Sequence, residues 1–497
     1  MVKFDALSDP AMTEMMRAYL YARLNVCLPG WVPQLPSASI RQTFNHIRPF
    51  FEFVLEELDT LDLPALDQTL LDRYAKKIID SKTRQPAANA LLLKPIWHLY
   101  HYREHLPCGG LRFEPWPGQS AASVAGYSSR SYENRTARIP EPILAPLLSW
   151  ALKYVQIFSK DIFAARAELT AIADRADRLA RNDLQRAKGD LHDLRLSRVK
   201  RWLAERGREG RGVPGWTQTM NKATRSTIDG LAINWHLINL VAGVIVTEEP
   251  GSHLALRKSA RDLVARHVSK YGVERGGFDT PLSPNPDTNL PWRSGFDHLT
   301  VKREERVLQT AAYILCAHLT GMRDCEVQAM RPGCLDITRS EDGLIERYRV
   351  RSTAYKWKRA EGVPADWITI EPVAEAIRVL EHLSKDACAF HGVDTLWPVL
   401  DIGRAGKTHV SAEIVRALNA FRDHINSDLG VNDGTDAIPT MHDGKPFKIT
   451  TRQFRRTLAW HIANRPFGTI AGMIQYKHVS VAAFEGYAGS SHSGFQR

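Results

Sequence analysis

The sequence predicts a mainly helical protein of several domains, with one small antiparallel sheet in the last of them. Long stretches place apolar residues at three- and four-residue steps, the period of a helix with one buried face. Only two short stretches, both in the C-terminal third, alternate in the manner of strands. The length, 497 residues, exceeds what a single hydrophobic core organises, which points to roughly two to four domains.

The bulk properties narrow the class. A hydrophobic fraction of 44% and a charged fraction of 24% are those of soluble globular protein. A net charge of +11 and a pI near 9.3 favour a polyanionic partner such as nucleic acid without requiring one. No apolar run is long enough to span a bilayer, and "MVKFDALSDPAMTEMM" lacks the apolar core of a signal peptide. Cys316, Cys325 and Cys334 recur every nine residues, but no histidine completes a metal-binding spacing around them. Reduced and mostly buried thiols in a cytosolic protein are expected, with no metal and no cofactor.

In chain order, residues 1–34 read as an N-terminal arm and 35–138 as a helical domain. Its helices are "IRQTFNHIRPFFEFVLEEL", ended by "DTLDLP", then "LDQTLLDRYAKKIID" and "AANALLLKPIWHLYHYREHL". A Gly-, Pro- and Ser-rich connector follows. Residues 139–295 form a helical, basic middle module that starts at Pro140 and Pro142, residues suited to a helix entry. Its long charged stretch, "AARAELTAIADRADRLARNDLQRAKGDLHDLRLSRVKRWLAERGREGRG", reads as a solvated amphipathic helix or helical hairpin. "GGFDTPLSPNPDTNLPWRSG" is a linker. Residues 296–497 open with a long helix broken near Thr320-Gly321, then two strands, "IERYRVRSTAYKW" and "ADWITIEP", then further helices to the end.

Four features of this last segment share a chemical theme. Arg323 and Glu326 stand three apart in "TGMRDCEVQAM", on one face of a helix. Lys356 and Lys358 lie in or beside the hairpin. Arg452 and Arg455 share a face in "TTRQFRRT", with Arg456 rotated away, and "QYKHVSVAAFEGYAG" supplies His478 and, nine residues later, Tyr487. Each alone has an ordinary reading: a surface ion pair, solvated charges, a packed tyrosine. Together they make a device for attacking a phosphodiester. Arginines neutralise the non-bridging oxygens at any working pH, and histidine adds a donor. A phenol with an ordinary pKa of about 10 becomes a nucleophile when cations favour its phenolate. Lysine suits the departing oxygen as general acid. On one unbroken helix His478 and Tyr487 would stand on opposite sides, roughly 13 Å apart. A shared phosphate therefore requires a helix break between them, which "HVSVAA" permits.

These residues resemble those of the tyrosine recombinases, the phage-integrase family, whose catalytic signature opens with a "TGMR..E" helix. Thr320 to Glu326 match it, and the likeness covers about residues 300 to 490. The resemblance implies an α+β catalytic domain over 296–497, with 35–138 as the core-binding domain of a C-shaped clamp on duplex DNA. It implies that Tyr487 attacks the scissile phosphate to form a 3′-phosphotyrosyl link, while Lys356, favoured over Lys358, protonates the leaving 5′-oxygen. Arg323, Arg455, His478 and Arg452 would hold the transition-state phosphate, with Glu326 orienting the arginines. Arg452 stands where the family has a histidine, so it donates to phosphate but exchanges no proton near neutrality. The hairpin lacks the family's commonest glycine-containing wording. Ten residues follow Tyr487, so the helix that relatives dock on a neighbouring protomer is expected to be short here, or the chain cut.

The implied function is site-specific DNA recombination for integration or excision of a mobile element. The implied partners are double-stranded attachment sites and a homotetramer on synapsed DNA, at a cytoplasmic, nucleoid-associated location. A type IB topoisomerase and a non-catalytic DNA-binding protein are the alternatives.

Overall fold

The computed structural model describes residues 4–7, 9–28, 35, 39–107, 109–127, 136–183, 188–217, 227–245, 253–341, 343, 346–355, 361–401, 406–429, 437–477 and 481–488. The chain divides into two compact units, residues 1–134 with 353–365, and residues 135–352 with 366–497.

The first unit is helical. Helix α1, Pro10–Asn25, starts where the Asp9 carboxylate accepts the Met12 N–H at 2.7 Å, a side-chain cap on an otherwise orphaned donor. Helices α2, Ile40–Leu58, and α3, Gln68–Asp80, follow, then α4, Pro86–His101, and the single turn α5, Ala121–Val124. Phe50, Phe51, Leu71 and Ile96 fill one core, and Met16 and Tyr19 of α1 belong to it. The segment expected as an arm thus contributes a core helix. Each such large side chain contributes about 2–3 kcal/mol on burial.

The second unit begins with α6, Glu141–Lys153, capped by Pro140 with Pro142 in its first turn. A π-helical turn, Tyr154–Phe158, leads into α7, Ser159–Asp183, and α8 follows at Lys188–Arg208. The charges of α8 are only partly solvated, contrary to expectation. Arg198 holds Asp183 through two bonds of 2.7 Å, and Arg206, 5% exposed, meets Glu274 at 2.8 Å. Strand β1, Val213–Gly215, is followed by the antiparallel pair β2, Thr227–Ile228, and β3, Leu231–Ala232. The last two turn on Asp229 and Gly230, both at positive φ, the two-residue hairpin turn that matches strand twist. Helices α9, Trp235–Ala242, and α10, Lys258–Tyr271, precede β4, Val273–Arg275, which pairs with β1 in parallel. These two small sheets correct the expectation of a single one, because strands of two or three residues are too short to show a period.

The remainder surrounds α11, His298–Thr320, whose first turn is capped by Asp297 through the N–H groups of Leu299 and Thr300. Leu308, Ala311, Ile314 and Leu315 are fully buried against α6, α7 and three later helices of this unit. After α12, Asp324–Gln328, come strands β5, Leu335–Arg339, β6, Glu346–Ala354, and β7, Val363–Thr369. Strand β6 is central, and β5 runs antiparallel to it. Strand β5 is an addition to the expected hairpin. Helices α13, Glu371–His391, and α14, Ser411–His424, are followed by a second π-helical turn, Ile425–Leu429. Helices α15, Thr451–Ala463, α16, Gly468–Gln475, and α17, Val481–Ala488, end the described chain.

Five described cysteines are reduced, but only Cys316 and Cys334 are buried, while Cys27 and Cys325 are exposed; the expected burial holds for a minority. Among the described residues no cluster could hold a metal ion, and no helix is long and apolar enough to cross a membrane.

Candidate active site

Helix α11 stops at Gly321, whose φ of +67° closes the helix in the left-handed region that glycine adopts without strain. A side chain there would also strike the Tyr476 hydroxyl at 2.8 Å. This sharp exit carries the chain into Arg323. That residue does not lie on a helix face with Glu326, as expected from their spacing. It is the N-cap of α12 in extended conformation, and Glu326 is the third residue of the helix. The Glu326 carboxylate accepts the Arg323 main-chain N–H at 2.6 Å and its guanidinium at 2.6 Å. The backbone bond is half of a capping box, so one carboxylate fixes both the start of α12 and the direction of the side chain.

Glu326 is fully buried, and a buried carboxylate is stable only when paired. Its second partner comes from α15. Arg455 Nη1 lies 3.9 Å from Glu326 Oε2 and donates to the Gly321 carbonyl, while Nη2 donates to the Tyr476 carbonyl at 2.8 Å. The guanidinium stands 4.0 Å from the centroid of the Tyr476 ring, and the Tyr476 hydroxyl donates back to the Arg455 carbonyl at 2.7 Å. Arg323 is the more open of the two, 22% exposed against 3%, so it is the guanidinium with room for an incoming anion. Arg452 is exposed one turn before Arg455, whereas Arg456 is buried at 2%.

The last two helices complete the surroundings. Gln475 Nε2 donates at 2.8 Å to the carbonyls of Thr320 and of Ile368 in β7, tying the end of α16 to the end of α11. Lys477 follows with φ of +56°, a left-handed backbone that costs a side-chain-bearing residue about 1–2 kcal/mol. Its ammonium lies 5.6 Å from the Trp367 ring centroid. Burial lowers its pKa, against the opposing pull of Asp366 and Glu326. Phe484 of α17 packs edge-on against Tyr476, their ring centroids 5.3 Å apart.

The structure therefore brings Arg323, Glu326 and Arg455 together and leaves Arg452 on the exposed side of α15. Tyr487 falls within α17, which starts at Val481; its side chain lies outside the described residues, as do His478, Lys356 and Lys358. Sequence reasoning missed Tyr476, Gln475, Trp367 and Lys477. Only Lys477 carried a signal, as the basic neighbour of His478. Chemically, two guanidiniums and an ammonium around one carboxylate make a positive site for an anion.

No family model matches the sequence, and no curated protein does. Among solved structures, the chain is similar to the XerH site-specific recombinase bound to difH substrate in a pre-cleavage complex. Identity is 12% over 97% of this chain and 94% of that one. The TM-score is 0.26, a superposition too loose to equate residues of the two.

Proposed function

We propose that this protein cuts and rejoins duplex DNA as a site-specific recombinase of the tyrosine type. One observation carries the reading: a single buried carboxylate, Glu326, gathers Arg323 at 2.6 Å and Arg455 at 3.9 Å. Those arginines belong to two separate sequence motifs, "TGMRDCE" and "RQFRR", that carry the family resemblance. In this reading the two guanidiniums, with Arg452 and His478, bind the non-bridging oxygens of one phosphate and stabilise the charge that grows during attack. Tyr487 attacks phosphorus, a 3′-phosphotyrosyl bond forms, and a lysine, nominated by the resemblance as Lys356, protonates the departing 5′-oxygen. The covalent link retains the bond energy, so rejoining to a second strand needs no nucleotide. Exchange between two duplexes calls for four protomers, and integration or excision of a mobile element is the role such exchange serves.

The test is covalent capture. A nicked duplex pool of random sequence is incubated with the full chain, and DNA that resists removal by detergent is recovered. Wild-type protein is expected to retain DNA and Tyr487→Phe to bind it without retention. Strand exchange between two captured sites, against simple plasmid relaxation, separates recombinase from topoisomerase. Tight DNA binding with no retained DNA in either protein overturns the reading in favour of a non-catalytic binder.

A further inference from the structure

Strand β6 carries Arg347, Arg349 and Arg351 at alternate positions. Successive side chains of a strand point to opposite faces, so these three share one face and follow each other at steps of about 7 Å. Pairing with β5 shows which neighbours share that face: Asp336 stands opposite Arg349, and Thr338 opposite Arg347. The residues between them turn the other way. Val350 is fully buried, and the Ser352 hydroxyl donates to the Glu326 carbonyl at 2.6 Å. The inner face of the strand thus rests on α12, which organises Arg323 and Arg455, and the arginine row occupies the outer face.

All three arginines are exposed, Arg349 with 45% and Arg351 with 63% of the side chain open. Among the described residues one carboxylate serves the row: Asp336 lies 3.3 Å from Arg351 and 3.9 Å from Arg349, and no ion pair engages Arg347. The inner-face register differs, for Arg339 is matched there by Glu346 at 2.7 Å. The outer face is therefore a straight strip with surplus positive charge that no working pH removes. Evenly spaced guanidiniums of this kind suit a polymer that offers an anion at every repeat, and planar donors bind phosphate oxygens in pairs. We propose that this face is a second DNA-docking surface, on which Arg347, Arg349 and Arg351 hold backbone phosphates of duplex away from the phosphate that is cut. The proposal builds on the recombinase reading by adding a hold that positions DNA, reads no base and takes no part in the chemistry.

Binding of a labelled random-sequence duplex to the full chain is measured over a range of salt concentrations. Each phosphate contact adds about 0.9 to the slope of log affinity against log salt. Arg347→Ala, Arg349→Ala and Arg351→Ala combined are expected to flatten that slope by about 2 to 3, whereas Arg339→Ala leaves it as in wild type. Asp336→Asn acts in the opposite direction: it releases Arg349 and Arg351 and should tighten binding, a gain that no folding defect produces. Covalent capture at saturating duplex should match wild type in the triple variant, because the row stands apart from the cut phosphate. Slower capture at saturation, a flattening equalled by Arg339→Ala, or no gain from Asp336→Asn overturns the assignment. An unchanged slope in the triple variant also overturns it, and hands the row to an acidic protein surface. Wild-type protein that shows the expected slopes but retains no DNA covalently overturns the recombinase reading and leaves the docking surface standing.

Discussion

Glu304 and Glu326 are both fully buried, both draw in two arginines, and both belong to the second compact unit. Around Glu304, at the first part of α11, the partners also bind one another. Arg293 and Arg303 approach at 2.9 and 3.2 Å, the Tyr154 hydroxyl donates at 2.8 Å, and His424 stands at 3.3 Å. Asp428 then takes Arg303 at 2.7 Å and the other His424 nitrogen at 3.2 Å. Charge meets charge throughout, and the web joins α6, α11 and α14 at both π-helical turns. Around Glu326, among the described residues, the ion pairs run to Arg323 and Arg455. Arg323 keeps 22% of its side chain open, and Lys477 adds a further cation. The same buried pairing sits inside a web of mutual bonds in one place and beside a part-open guanidinium in the other.

That contrast is open to experiment, beginning with the largest effect. Arg323→Ala should lower the rate of covalent DNA capture on the order of 100-fold or more, the usual loss for one donor to a transition-state anion. Arg303→Ala, measured at a temperature where it stays folded, should change that rate by no more than a few-fold. Next, chemical denaturation of Glu326→Ala and Glu304→Ala should show each losing about 3 kcal/mol of stability, since each leaves buried guanidinium without its carboxylate. Of the two, only Glu326→Ala should also lose capture. A smaller effect has the opposite sign: Lys477→Gly should raise stability by about 1 kcal/mol through relief of the left-handed backbone.

The smallest effect is pH-dependent. Burial disfavours the His424 imidazolium, but hydrogen bonds to Asp428 and Glu304 outweigh it and raise the pKa. A raised histidine contributes its stability fully below the ordinary value of about 6.5 and loses it as pH climbs through the folded value. Burial would likewise raise Glu304, yet His424 and the two arginines bring it down to about 2, so its contribution persists until strongly acid conditions. Unfolding of His424→Gln against wild type should therefore show a gap that is widest near pH 6 and narrows towards pH 9.

Much of the helical frame was readable because it follows from local period. Helices α2, α3, α13 and α15 sit on the stretches that show it, and Gly321 marks the end of α11 by its chemistry. What escaped notice depends on contacts distant in sequence. Arg195 and Arg206 look like solvent-facing cations until Asp183 and Glu274 are seen beside them. Arg323 and Glu326 look like a helical pair because spacing alone does not distinguish an N-cap from a first turn. Tyr476 gave no signal at all, since its importance lies in a carbonyl, a ring face and a hydroxyl all spent on one arginine.

That last arrangement links the position of one aromatic residue to the placement of charge. Any shift of Tyr476, just past the end of α16, pulls on three separate holds upon Arg455 at once. The guanidinium, gripped on its other side by the Gly321 carbonyl, then keeps its full set of partners only while Tyr476 stays in place.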